Sequence, residues 1–221
     1  KNHDHAKRIN KSPFMDDIRK IIDGAGAMVL SDAWLGGGFA SKKTCITGAA
    51  SVKGQVMRAA GPMFNKMLEG AGASIASMAS SEVYAGLQTG VLTGVNTSSG
   101  SFVSFKIYEQ VKCATPPGQY GLWFMYEPIL VSKKSFNALN AKQKAALLAA
   151  GKKAEEYMFG QVAALDKKME DTYKAKGVKL AYMTEKDYNE WVEIAKKTSF
   201  KEFSAKVPAG ASLIEKALAV K

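Results

Sequence analysis

Histidine is almost missing from this 221-residue chain: His3 and His5, both in the opening "NHDHAK", are the only two. Catalytic machinery built on an internal imidazole is therefore excluded, and a solvated polar terminus is favoured over a metal site there. Cysteine is equally scarce, with Cys45 in "KKTCIT" and Cys113 in "QVKCAT". Neither has a C-x-x-C partner, so no zinc or thioredoxin-like motif is expected. No run of about 18 apolar residues occurs, and no transmembrane helix is expected. A G-x-S-x-G elbow, a G-x-G-x-x-G or Gly-Lys-Ser/Thr phosphate loop, a dense Lys/Arg block and an RNA-binding aromatic motif are all absent. The chain opens without Met or a charged-then-apolar leader, so its numbering is expected to begin inside a mature or truncated product.

What is present is globular composition, 47% hydrophobic and 10% aromatic, with a net charge of +11. That charge suits anionic partners, whether nucleic acid, an anionic membrane surface or small acids. Its distribution narrows the choice. In "KKAEEY" and "DKKMED" acids alternate with bases at helical spacing, which is the pattern of a solvated helix face. Carboxylate pairs such as Glu155–Glu156 and Glu170–Asp171 fall in these runs, so no general acid or base stands out. An enzyme is disfavoured, and no cofactor or metal is called for.

Apolar residues at Phe14, Ile18, Ile21 and Ile22 predict a helix ended by Gly24 and Gly26, followed by a strand "AMVLSDAW". "WLGGGFAS" carries three glycines that permit a tight turn or close backbone approach. From Lys43 onward, short strands alternate with helices, the signature of an α/β layer with parallel strands. "GQVMRAA" and "ASIASM" read as strands around a helix "PMFNKMLEGAG". "SSEVYAGLQTG" reads as a helix capped by Ser80 or Ser81, "VLTGVNTS" as a strand, and "SGSFVSFKIYEQ" as a helix. "GLWFMYEPILVSKK" reads as one long strand able to pass between sheets. After it comes a single very long helix, capped by Asn140, ended by Gly177, with a bend expected at Gly151 or Gly160. A strand "VKLAYM" and three further helices finish the chain.

Two strand ends carry the chemistry of interest. Arg58 closes "GQVMR" just before a Gly61–Pro62 break that starts a helix, where a guanidinium fork and free backbone N–H groups could hold a carboxylate. A structural ion pair with an acid such as Glu82 accounts for it equally well. At the second end, Asn96, Thr97, Ser98 and Ser99 could face a polar ligand or only cap the next helix. Trp34 and Trp123 could wall an apolar part of a ligand or simply fill the core. Cys45 and Cys113 could form one disulfide in an exported protein, or be two buried thiols.

Taken in order, "VKGQVMR", "EGAGAS", "SSEVYAGLQTGVLTG" and "YEPILVSKKSFNAL" resemble the solute-binding proteins of TRAP (tripartite ATP-independent periplasmic) transporters, DctP type. That family runs Lys-Gly-x-x-x-Arg, an ALGA-like segment, then S-E-V-Y-x-x-L-Q-x-G-x-x-x-G. The resemblance covers essentially all 221 residues. It implies an α/β, two-lobed periplasmic solute-binding fold with a hinge and a long bracing helix, the first lobe incomplete. Residues 1–44 would be the remainder of the N-terminal lobe. Residues 45–121 would be the C-terminal ligand-binding lobe with hinge strands near Thr44 to Thr47 and Leu122 to Val131. Residues 122–221 would cross the hinge and pack on both lobes.

The function implied is capture of a small organic acid in the periplasm and its delivery to TRAP membrane permease subunits, with no catalysis, nucleic acid or membrane insertion. The implied ligand-binding set is Arg58, Thr97, Asn96, Ser98, Trp34, Ser80 and Trp123. Arg58 falls on the family's carboxylate-clamping Arg. Thr97 stands where many members carry Asn in D-G-x-E-N-P, and Asn96 replaces an acid there. Ser80 stands where an aromatic is common, which implies a roomier site, and Phe39 stands near a second Arg of some sialic-acid binders, which argues against that ligand. A complete member would carry strand-helix units of about 30 residues before the helix at Phe14. A chain lacking them would be of poor stability. The rival reading is a basic α/β protein binding nucleic acid through its lysine-rich helices.

Overall fold

A computed structural model describes residues 1–221. Helix α1 (His3–Asn10) leads to α2 (Pro13–Gly24), whose Met15 is buried with Phe14 and Ile18 beside it, the stripe that the spacing predicts. Gly26, at φ 84°, turns the chain into β1 (Ala27–Ser31). That strand pairs antiparallel with β8 (Ile129–Ser132) in a two-stranded sheet.

The larger sheet has seven strands in the order β4 (Ser74–Ile75), β3 (Val56–Arg58), β5 (Gly94–Ser98), β2 (Trp34–Ser41), β6 (Cys113–Thr115) and β9 (Lys179–Leu180), with β7 (Trp123–Tyr126) also paired to β2. Strand β3 runs parallel to β4 and β5, and β6 parallel to β9, while β2 is antiparallel to β5, β6 and β7. The glycine run therefore lies in a central strand and makes no turn. A Cβ on Gly37 would sit 2.2 Å from the Thr97 carbonyl oxygen, and one on Gly38 would sit 1.8 Å from that of Thr115. Only glycine admits neighbours that close.

Each face of the large sheet buries its own core. On one face Val95 packs with Val83 and Leu87 of α4 (Val83–Gln88), Phe102 of α5 (Ser99–Ser104), and Met169 and Tyr173 of α7 (Ala141–Ala175). On the other, Phe39 and Met57 pack with Leu68 of α3 (Pro62–Gly70) and Trp191 of α8 (Glu185–Lys197). Helix α7 is opened by a reciprocal Asn140–Gln143 capping box and, at 35 residues, runs about 50 Å. It crosses from the small sheet, where Gly151 abuts the Leu30 carbonyl, to the large core at Met169 and Tyr173. Short helix α6 (Lys133–Asn137) precedes it, and α9 (Ser199–Lys206) and α10 (Gly210–Ala219) close the chain.

Several local expectations are corrected. The long strand at "GLWFMYEPILVSKK" is two strands in two sheets, because Pro128 between them has no N–H for a ladder. Similarly "AMVLSDAW" breaks after Ser31, and Trp34 starts the next strand. Residues Thr44 to Thr47 form a loop, since their carbonyls are taken by side chains: Thr115 donates to Ile46 and Trp191 Nε1 to Thr47. Helix α5 stops at Ser104, ahead of Lys106 in the left-handed region, and only Ser74–Ile75 of "ASIASM" pairs. Helix α7 is continuous through Gly151 and Gly160. Strand β2, inside the expected 1–44 unit, belongs to the large sheet.

Candidate functional site

Strand β3 delivers Arg58 to the sheet's carboxyl end, beside β5, and the residue is 7% exposed. Its Nε donates to the Met78 carbonyl (3.1 Å), Nη1 to the Asn96 carbonyl (3.3 Å) and Nη2 to Ser80 Oγ (3.0 Å). A guanidinium has five N–H donors, so one on each terminal nitrogen remains without a protein acceptor. No carboxylate is paired with it. Glu82 instead accepts from the Ala79 backbone N–H and caps the short 3₁₀ turn Ser80–Glu82 ahead of α4, so the expected serine cap is displaced. Burial pulls the Arg58 pKa below its ordinary 12.5, and the group remains a cation at neutral pH. A buried cation held only by neutral acceptors favours an incoming anion.

Strand alternation divides the remaining residues. Arg58 is in register with Val95, and Thr97, two residues on, shares that face; Thr97 is buried opposite Gly38. Asn96 and Ser98 point to the other face, in register with Phe39 and Gly37, and Trp123 is opposite Gly37 in the same row. Asn96 therefore serves Arg58 through its backbone carbonyl, while its side chain donates to the Gly38 carbonyl at 2.9 Å. Ser98 accepts from the Ser101 N–H as the cap of α5. The Asn96 Oδ1, Ser99 Oγ and Trp123 Nε1 atoms are buried without a partner. Trp34 lies at the far end of β2, where its Nε1 donates to Asn10, and is not brought to Arg58.

Elsewhere, a cavity of about 400 Å³ opens between α1, α3, α8 and α9, lined by Trp34, Phe64, Phe124 and Phe200 among others. Arg58, Ser80 and Thr97 do not line it. Cys45 and Cys113 are joined by a disulfide that ties the loop after β2 to β6. His3 Nε2 donates to Asp166 Oδ2 and His5 lies against the Val220 carbonyl, with no acidic or thiolate cluster around either that could hold a metal. No helix is long and apolar enough to cross a membrane. Sequence reasoning missed the Met78 carbonyl as a partner of Arg58, because a backbone acceptor 20 residues away leaves no mark in residue types. It also missed a buried polar cluster around Asp32.

The family model described as bacterial extracellular solute-binding protein, family 7 (DctP) matches residues 1–206. A solute-binding protein of Albidiferax ferrireducens is 29% identical over 213 residues, covering 96% of this chain and 63% of its own length. One from Sulfitobacter sp. is 32% identical over 159 residues, covering 70% of this chain and 46% of its own. Among solved structures, a TRAP periplasmic solute binding protein from Rhodoferax ferrireducens with bound malonate superposes at TM-score 0.92, with 29% identity, over 99% of this chain and 69% of that one. An extracytoplasmic solute receptor from Bordetella pertussis binding pyroglutamic acid superposes at TM-score 0.84 with 21% identity, over 98% and 70%. This chain thus spans less than two thirds of the curated relatives it matches. Its two-sheet α/β architecture with one long helix across both is the fold of these structures, and the chain belongs to the DctP family of bacterial extracellular solute-binding proteins.

Proposed function

We propose that this chain captures a small organic acid outside the cytoplasm, in the periplasm, and hands it to the permease of a TRAP transporter. The observation that carries the reading is Arg58, a buried guanidinium with two free N–H groups and no acid of its own. A ligand carboxylate would take those two N–H groups as a bidentate pair, and exclusion of water would strengthen the attraction. Ser80 and the Asn96 and Met78 carbonyls fix the plane of the fork. Thr97, on the same face, would offer its hydroxyl to the ligand. Asn96 and Ser98 shape the strand end from the other side, with Trp123 in their row, and Trp34 has no part in the site. Malonate in the Rhodoferax structure and pyroglutamic acid in the Bordetella receptor are acids of the class expected.

The lysine-rich helices do not favour the nucleic-acid reading, since Lys167 and Lys174 pair with Asp171 and Glu170 along α7. A thermal-shift panel of malonate, pyroglutamate, hexuronates and uncharged sugars tests the proposal. One or more acids should raise the melting temperature while neutral sugars do not, and Arg58→Ala should abolish the shift. If no acid stabilises the chain, or Arg58→Ala retains the full shift, the proposal fails.

A further inference from the structure

The backbone passes between the two sheets at Asp32–Ala33, joining β1 to β2, and at Glu127–Pro128, joining β7 to β8. The two crossings touch, because the Glu127 N–H donates to the Ala33 carbonyl at 2.9 Å. Asp32 sits in the first crossing with its side chain 6% exposed. Its Oδ2 accepts from Arg19 Nη2 on α2 (2.5 Å) and from Asn10 Nδ2 (3.2 Å), and its Oδ1 accepts from Tyr126 Oη on β7 (2.5 Å). Its backbone N–H donates to Glu155 Oε2 on α7 at 3.0 Å. Arg19 also donates to the Asn10 carbonyl, and Trp34 Nε1 donates to Asn10 Oδ1, which closes the network.

Asp32 therefore bonds through its carboxylate to an element of the small sheet's layer and to a strand of the large sheet, and through its backbone N–H to the helix that spans both. Burial, then the bond to Asp32, raises the Tyr126 phenol above its usual range, so it stays a donor at neutral pH. Desolvation works against Arg19, but its bond and charge attraction to Asp32 outweigh that and keep the guanidinium charged.

We propose that Asp32 is the pin of the hinge, a positioning residue that fixes the angle between the two sheets. Bending at residues 32–33 turns β2 and β7 relative to α2, and Asp32 cannot follow both Tyr126 and Arg19. This inference rests on the two sheets moving as lobes, but its readout requires no ligand.

The test places spin labels on cysteines introduced at the exposed positions Lys20, on α2, and Lys66, on α3, and measures their separation without ligand. The parent should give one narrow distance. Asp32→Asn should add a second distance, raising that population about tenfold, the scale expected when a charge-assisted bond is lost from a two-state equilibrium. Tyr126→Phe, which removes only the large-sheet bond, should move the distribution the same way to a smaller extent. Leu87→Ala, a core truncation on α4 away from the crossing and from both labels, controls for lost stability and should leave the distance unchanged. An unchanged distribution in Tyr126→Phe and Asp32→Asn, or an equal change in Leu87→Ala, overturns the proposal. If Asp32→Asn does not fold, Tyr126→Phe against Leu87→Ala decides alone.

Discussion

Removing the Cys45–Cys113 disulfide should lower the melting temperature by about 10 °C. The bond closes a loop of 68 residues across a Cα separation of 5.0 Å. In the chain-entropy relation, closing a loop of that length restricts the unfolded chain by about 4 kcal/mol at 25 °C. The native loop has other anchors. Ile46 is 1% exposed, and its carbonyl and that of Thr47 accept from Thr115 and Trp191. Those contacts survive reduction, so the loss should act through the unfolded state and leave the folded loop in place. For a chain of this size each kcal/mol moves the melting temperature by about 2–4 °C, which converts the estimate to roughly 8–16 °C. Circular-dichroism melts of the parent with and without reductant, beside Cys45→Ala/Cys113→Ala, measure it. Reductant should shift the parent onto the variant and leave the variant where it was. A parent that moves by less than about 2 °C, or a variant equally sensitive to reductant, refutes the reasoning.

Two further outcomes follow from single sites. Gly151→Ala places a Cβ 2.2 Å from the Leu30 carbonyl oxygen, so α7 must shift from the small sheet, at about 1–3 kcal/mol; Gly160→Ala on the same helix meets nothing within 4 Å and should stabilise by up to about 1 kcal/mol, with denaturant titration separating the two. Lys216 on α10 bonds Asp17 on α2 and holds that carboxyl below its ordinary 3.8, so the pair's contribution is fully present above that value and disappears as pH falls through the lower folded value. The melting-temperature difference between the parent and Asp17→Asn should accordingly narrow as pH falls below 3.8, and a difference independent of pH would contradict the pair.

Helices were legible where their signals are local. Asn140 followed by Gln143 announces the start of α7, and the apolar stripe of α2 announces its buried face. Strand extents were less legible, because a strand exists only where a neighbour pairs with it. Nothing within "ASIASM" tells that β3 reaches only Ser74 and Ile75, and nothing within "WLGGGFAS" tells that Thr97 and Thr115 press on it from both sides. The polar run from Asn96 to Ser98 shows the same limit within the site. As a list of residue types it is one edge, whereas β5 continues through Ser98, and its two-residue period sends Thr97 to the Arg58 face and its neighbours to the other.

Of the three arginines, Arg8, Arg19 and Arg58, two make a revealing pair. Arg19, a third exposed, is given Asp32, so the fold can place a buried acid beside a guanidinium where one is needed for structure. Arg58 is more deeply buried and receives two carbonyls and a hydroxyl instead. Neutral acceptors orient the fork without neutralising it, which keeps the attraction for an anion that arrives from outside. The net charge of +11 acts at longer range, drawing anions of any kind toward the surface. On the proposed reading, selection among them would depend on which can bring a carboxylate down to two N–H groups beside Thr97, so total charge and the one buried guanidinium without an acid would perform separate tasks.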